Sequence, residues 1–208
     1  MRRAIPFLLL LLASPMLQGA GQPAPEARPT FNAEQRGDLE KISAYLNGMH
    51  AVEGGFSQIN PNGDVTGGKI YIDKPGRIRF EYDAPNPTLV LCDGSSIYVQ
   101  NRKLNTVDRY PLAGTPLQLI LKDDISLKQN RSILGLHREG DSIIVDARSS
   151  NNRKQSNVTL VFASAPVELR QWTVIDDQGL STTVALRDVH PVSDLPDKLF
   201  QYVEAKKP

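Results

Sequence analysis

The chain has 208 residues, of which 40% are hydrophobic and 23% charged, with a formal net charge of +1. This balance lacks the basic footprint of a nucleic-acid binder, and no block of like charges supplies one locally. One cysteine, Cys92, excludes an intrachain disulfide, and as a free thiol within Leu89-Val90-Leu91-Cys92 it reads as a small core residue.

At the N-terminus, Arg2-Arg3 precede an apolar run from Ala4 to Leu17, and the small residues Gly19-Ala20-Gly21 follow. A basic start, a short apolar stretch and a small-residue exit predict a secretory signal peptide over residues 1–21, cleaved near Ala20 or Gly21 and too short to span a bilayer. No cysteine stands at the exit, so an N-terminal lipid anchor has nothing to attach to. Residues 22–31, with Pro23, Pro25 and Pro29, read as an extended linker. Residues 32–205 are long enough for one domain, and 206–208 read as a solvated tail.

The domain begins with a helix. Asn32 can cap it, Gln35 stands at the capping-box position, and Leu39, Ile42, Leu46 and Met49 recur at helical spacing until Gly54-Gly55. One narrow apolar stripe with a charged back fits a helix lying across a sheet. Strands are then expected at 53–59, 66–73, 77–83, 88–92, 96–101 and 104–109. Within them, Ile70 and Ile72 alternate with Lys69, Tyr71 and Asp73, and Ile78, Phe80 and Tyr82 with Arg77, Arg79 and Glu81. Lys74-Pro75-Gly76, Ala84-Pro85-Asn86-Pro87 and Asp93-Gly94 are the corners. Thr115-Pro116 opens a short apolar helix through Leu117 and Ile120 to Leu121, proline being tolerated at the first helical position. Residues 122–130 match neither period. Strands resume at 132–138, 142–147, 157–162, 167–176 and 180–187, and Lys198 to Val203 form a last short helix or irregular segment. About eleven short strands with few helices predict a mainly β fold with some α: a single curved antiparallel sheet, or incomplete barrel, covered by a helical lid.

No catalytic constellation is legible. His50, His137 and His190 are far apart and outside metal spacings, Ser95-Ser96 lacks a nucleophile elbow, and Asp123-Asp124 and Asp176-Asp177 fall in expected loops. The sequence therefore predicts no enzyme, no metal and no cofactor, and no phosphate-binding loop is present. An apolar concave face closed by apolar helices is either a packed core or a cavity, and the residues alone leave both open.

The order of pieces carries a resemblance. A strand ending in a basic residue and Pro75, then Arg77-Ile78-Arg79-Phe80-Glu81-Tyr82, a Pro-rich turn, a short apolar strand and Asp93-Gly94 resembles the LolA-like periplasmic lipoprotein carriers of Gram-negative bacteria. Thr115-Pro116-Leu117-Gln118-Leu119-Ile120-Leu121 is similar to that family's short helix, and Trp172 to Gly179 to its late hairpin. The resemblance implies a half-open barrel with a helical lid over a hydrophobic cavity. There the acyl chains of lipoproteins are shielded on the way from the inner to the outer membrane. It also implies a soluble, monomeric periplasmic protein, an inner-membrane ABC transporter complex as donor and an outer-membrane acceptor. The site then comprises Leu39, Ile42, Leu46, Met49, Ile70, Ile72, Ile78, Phe80, Tyr82, Leu89, Leu91, Leu117, Ile120 and Trp172 as cavity or lid, with Lys74 at the rim.

Lys74 shares a face with Ile70 and Ile72 by alternation. The family has Arg at this position, where it hydrogen-bonds lid carbonyls in the closed form. Lysine donates without arginine's planar fork, so Arg77 or Arg79 could share the task, and a solvated turn residue is the other reading. A periplasmic interaction or sensor module on the same half-barrel, binding a protein partner or another lipid, is the alternative function, and a hydrolase with an unrecognised site a distant third.

Overall fold

The computed structural model describes residues 29–151 and 154–203. The expected signal peptide at 1–21, residues 22–28 of the expected linker, residues 204–205 and the tail at 206–208 lie outside the described residues. The chain enters through helix α1 (Ala33–Gly48), whose start has the expected chemistry. The Asn32 side chain accepts from the Gln35 amide at 2.8 Å while the Gln35 side chain accepts from the Asn32 amide at 2.9 Å, which satisfies two orphan donors at once.

Six strands follow: β1 (Ala51–Ile59), β2 (Val65–Asp73), β3 (Arg77–Tyr82), β4 (Thr88–Asp93), β5 (Ser96–Asn101) and β6 (Thr106–Pro111). A crossover through helix α2 (Gln118–Leu121) and a 3-10 turn (Leu127–Gln129) leads to β7 (Ile133–Glu139), β8 (Ser142–Asn151), β9 (Lys154–Ser164), β10 (Val167–Ile175) and β11 (Ser181–Pro191). A second 3-10 turn (Asp197–Phe200) lies near the end of the described chain. All eleven strands form one open antiparallel sheet in the order β6-β5-β4-β3-β2-β1-β11-β10-β9-β8-β7. The path explains this order. Successive hairpins walk from β1 out to the β6 edge, the crossover jumps to the β7 edge, and hairpins walk back until β11 pairs with β1. The crossover therefore spans the mouth of the sheet and carries α2 there.

One face is apolar from β5 across to β7, while β6 at the edge is exposed along its length. Val52, Phe56, Ile70, Ile72, Ile78, Phe80, Cys92 and Ile97 on one half meet Trp172, Val184, Leu160, Phe162, Ile143 and Val145 on the other in a single buried cluster. Leu39, Ile42 and Leu46 of α1, Leu119, Ile120 and Leu121 of α2, and Ile125 and Leu127 complete it. Phe56 sits at its centre, edge-on to Phe80 at 5.1 Å and to Tyr82 at 5.0 Å.

Two expectations on the fold need correction. The α1 helix stops at Gly48 and not at Gly54-Gly55, which lie inside β1. The β1–β11 register shifts between Glu53 and Gly55, and a Cβ on Gly54 would stand 2.8 Å from the Arg187 carbonyl oxygen, so Gly54 serves a close strand approach. Leu104 belongs to the turn before β6, is 68% exposed and is followed by Asn105 at φ 53, so the strand starts at Thr106. The unassigned stretch 122–130 is the other half of the lid: Ile125 and Leu127 belong to the buried core without helical or strand period, because irregular backbone carries the first and a 3-10 turn the second.

Cys92 is fully buried, and burial pushes its thiol above the ordinary range. Native protein is expected to resist a thiol-specific reagent that reacts at once after denaturation. Rapid native labelling, followed by thiol titration, would show that β4 opens readily.

Candidate functional site

The candidate site is the apolar sheet face together with what closes it. By alternation, Ile70, Ile72, Ile78, Phe80 and Tyr82 point inward, toward Leu39, Ile42, Leu46 and Met49 of the helix. Leu117 packs against the same cluster, Ile120 lies within it, and Trp172 meets Phe80 edge-on at 6.3 Å. Tyr82 keeps its polar end satisfied by donating to Gln58 Oε1 at 2.7 Å. Twelve of the expected lid and cavity residues are thus brought to one side of the sheet.

Leu89 and Leu91 are not. Phe80 pairs with Val90 and Ile78 with Cys92, so Val90 and Cys92 share the inner face while Leu89 and Leu91 point to the opposite one. They are nevertheless buried, at 6% and 1% exposure, because the C-terminal segment covers β3 and β4 on that side. Arg79 donates to the Leu199 carbonyl at 2.8 Å, Arg77 pairs with Asp197 and lies over the Phe200 ring, and Tyr202 stacks on Tyr98 at 4.9 Å. The signal was present in the sequence: four consecutive apolar residues in a strand mean that both faces are covered. Arg77 and Arg79 hold this outer strap and also bond Asp73 and Glu81; among the described residues no hydrogen bond of theirs runs to the lid.

The corner Lys74-Pro75-Gly76 lies between the two parts of the lid. Lys74 Nζ donates to the Leu46 carbonyl of α1 at 2.7 Å, and the Gly76 amide donates to the Leu121 carbonyl of α2 at 2.9 Å. Gly76 has φ +77, and a Cβ there would stand 2.8 Å from Gly94 Cα, so the corner requires glycine twice over. The contact to Leu46 has a local cause. The last carbonyls of a helix have no intrahelical donor, α1 has no basic residue in its last turn, and Lys74 supplies both the donor and the favourable charge from another strand.

Four further ties hold α1 and escaped the sequence reading. Asp38, only 2% exposed, accepts from Arg138 of β7 at 2.8 and 2.6 Å. Gln35 donates to the Leu136 carbonyl at 2.8 Å. Asn47 exchanges two hydrogen bonds with the backbone of Ile125, at 2.9 and 2.8 Å, and Ser43 Oγ accepts from the Leu127 amide at 3.0 Å. The last two make α1 and the 125–127 stretch one polar-stitched unit. On a helix these residues look like an ordinary solvated back, and only the fold supplies their partners.

Burial pushes the Lys74 ammonium below its ordinary 10.5, against the opposing pull of Asp123 and Asp124. Between its folded value and 10.5 the unfolded chain therefore binds more protons at this group than the folded chain does. The cost of holding the charge is full below the folded value and is relieved as pH rises through that window. The gap in Tm between the protein and Lys74→Met is expected to widen with rising alkaline pH. A gap that narrows would mean that the contact to Leu46 outweighs burial.

Among the described residues no three His, Cys, Asp or Glu side chains form a group that could hold a metal ion. What the arrangement can do is take up apolar material between sheet and lid, at roughly 25 cal/mol for each Å² removed from water. No helix among the described residues is long and apolar enough to cross a membrane.

An open antiparallel half-barrel whose apolar face is closed by a polar-tethered helical lid defines the class. Residues 47–203 match the family model described as outer membrane lipoprotein carrier protein LolA, and the chain belongs to that family. It is similar to an outer-membrane lipoprotein carrier protein of Pseudomonas paraeruginosa, with 24% identity over 82% of this chain and 86% of that protein. A protein of the same name from Chromohalobacter salexigens is 22% identical over 85% of this chain and 87% of the other. A LolA superfamily protein from Nitrosomonas europaea of known structure has a TM-score of 0.43 at 10% identity, covering 83% of this chain and 99% of that one.

Proposed function

We propose that this protein is a soluble periplasmic carrier that shields the acyl chains of lipoproteins between its sheet and lid and ferries them from the inner to the outer membrane. The observation that carries the reading is the lid itself: a helix with fully buried Leu39, Ile42 and Leu46 held down by separable polar contacts at both ends. Each acyl methylene left in water costs about 0.8 kcal/mol, so a lipid-bearing protein crossing an aqueous space needs such a shield. The shield must also let go. Apolar burial is non-directional, and a lid with open and closed states of nearly equal free energy is shifted by cargo in either direction. Family membership supports the reading at the level of the family's printed name.

In this reading Lys74 is the latch, residues 1–21 are a signal peptide removed on export, and residues 32–205 act as one monomeric domain. An inner-membrane ABC transporter complex loads it and an outer-membrane acceptor unloads it; the carrier performs no chemistry and uses no cofactor. A fluorescent fatty-acid probe is expected to bind saturably and to be displaced by purified lipoprotein. Absence of both signals would favour a module that binds a protein partner on the same scaffold. Intact mass of native protein tests the export step, since a retained Met1 contradicts it.

A further inference from the structure

A cleft of about 510 Å³ opens beside the last turn of α1. Gly48 and Met49 form one wall, Val52 of β1 and Leu169 of β10 part of the floor, and Leu186 and Val189 of β11 the far side. Arg170, Glu168 and His190 stand at its polar rim. Three features decide what it suits. First, it borders the interior, because Met49, Val52 and Leu169 line the cleft and belong to the buried core. Second, β1, β11 and β10 are each paired on both sides, so an extended peptide would find no free ladder to join. Third, Gly48 leaves its wall bare: a Cβ built there meets nothing within 4 Å. An apolar floor without free backbone partners suits a flexible hydrocarbon, which needs burial and no hydrogen bonds.

We infer that this cleft is the loading port, where one acyl chain of the cargo first enters beneath the lid; the inference rests on the carrier function proposed above. Its position accounts for opening as well as entry. The port is bounded by Ala44, Tyr45, Gly48 and Met49, the turn whose Leu46 carbonyl is held by Lys74. A chain advancing over Met49 wedges that turn from the sheet and breaks the Lys74 contact from the lid side. The N-terminal half of α1 stays tied to β7 through Asp38–Arg138. Loading therefore hinges the helix at its N-terminal half and lifts it at the port.

Two glycines of α1 make the test clean. Gly37 and Gly48 both have open space around a Cβ, but only Gly48 borders the cleft. Gly48→Leu plugs the port, Ala44→Leu narrows the same wall, and Gly37→Leu changes helix propensity without touching it. Trp172 is the single tryptophan and lies buried in the interior, so quenching by palmitate brominated near its methyl end reports arrival of the chain tip. The parent and Gly37→Leu are expected to quench saturably at equal rates, and both port variants about ten- to hundredfold more slowly, the range that forcing a side chain aside implies. Quenching of both port variants at the parental rate overturns the port while leaving the carrier function intact. Equal slowing by Gly37→Leu also overturns it, since helix stiffening then explains the effect. No quenching of the parent at any concentration removes the carrier function and the port together.

Discussion

Phe56→Ala is expected to cost about 3–5 kcal/mol of folding stability, which for a domain of this size lowers Tm by roughly 10 °C. Phe56 is fully buried at the centre of the sheet, on the strand that joins its two halves. Its ring meets Phe80 and Tyr82 edge-on, an arrangement that adds to the area buried. Truncation would leave a void between β1 and the lid that neither rigid sheet nor tethered helix can collapse to fill. Thermal unfolding followed by circular dichroism checks it. A loss below about 1 kcal/mol would mean that the interior is already loose around Phe56.

The second large effect is on transfer. Lys74→Leu removes the donor to the Leu46 carbonyl and the cation at the C-terminal end of α1, and it leaves an apolar rim. The stability lost is modest, about 1–2 kcal/mol, since part of the contact is open to solvent screening. The functional loss is expected to be much larger, because a lid poised between two states responds steeply to a small bias. Cargo uptake from inner-membrane vesicles should continue, while delivery to outer membrane should fall several-fold, because the closed empty state that rewards release has lost its latch. Lys74→Arg should act in the opposite sense: a fork of five donors holds the empty lid more firmly and slows loading. A two-step transfer assay scores both. Parental behaviour of both variants in both steps would make Lys74 a structural turn residue and move the latch to Asp38–Arg138.

How far the sequence reached can be judged from particular elements. Period-two alternation located the ten strands that put one face on the core, whereas β6, expected two residues too early, is exposed along its whole length. Asn32 and Gln35 announced the start of α1, because capping is a contact among near neighbours. Alternation also put Lys74 on the same face as Ile70 and Ile72, where the structure finds it touching the lid. The ordered set of strand, corner and turn motifs identified the family, whose model covers residues 47–203.

Long-range pairing lay beyond it. Nothing local says that β1 meets β11, that residues 122–130 fold under α1, or that Asp38 finds Arg138 across 100 positions. The loading port is of the same kind, since its walls come from α1, β1, β10 and β11. Leu89 and Leu91 show the limit most plainly: composition marked them as buried, but which face of the sheet buries them depends on where the C-terminal strap returns. Local hydrogen bonding and the strand period are set by residues within a few positions of each other, so the sequence by itself determined the elements and their apolar faces. Which polar group meets which across the lid, and which apolar face is covered by what, is decided by contacts that close only when the whole chain has folded, so the latch, the stitching and the port belong to the tertiary structure alone.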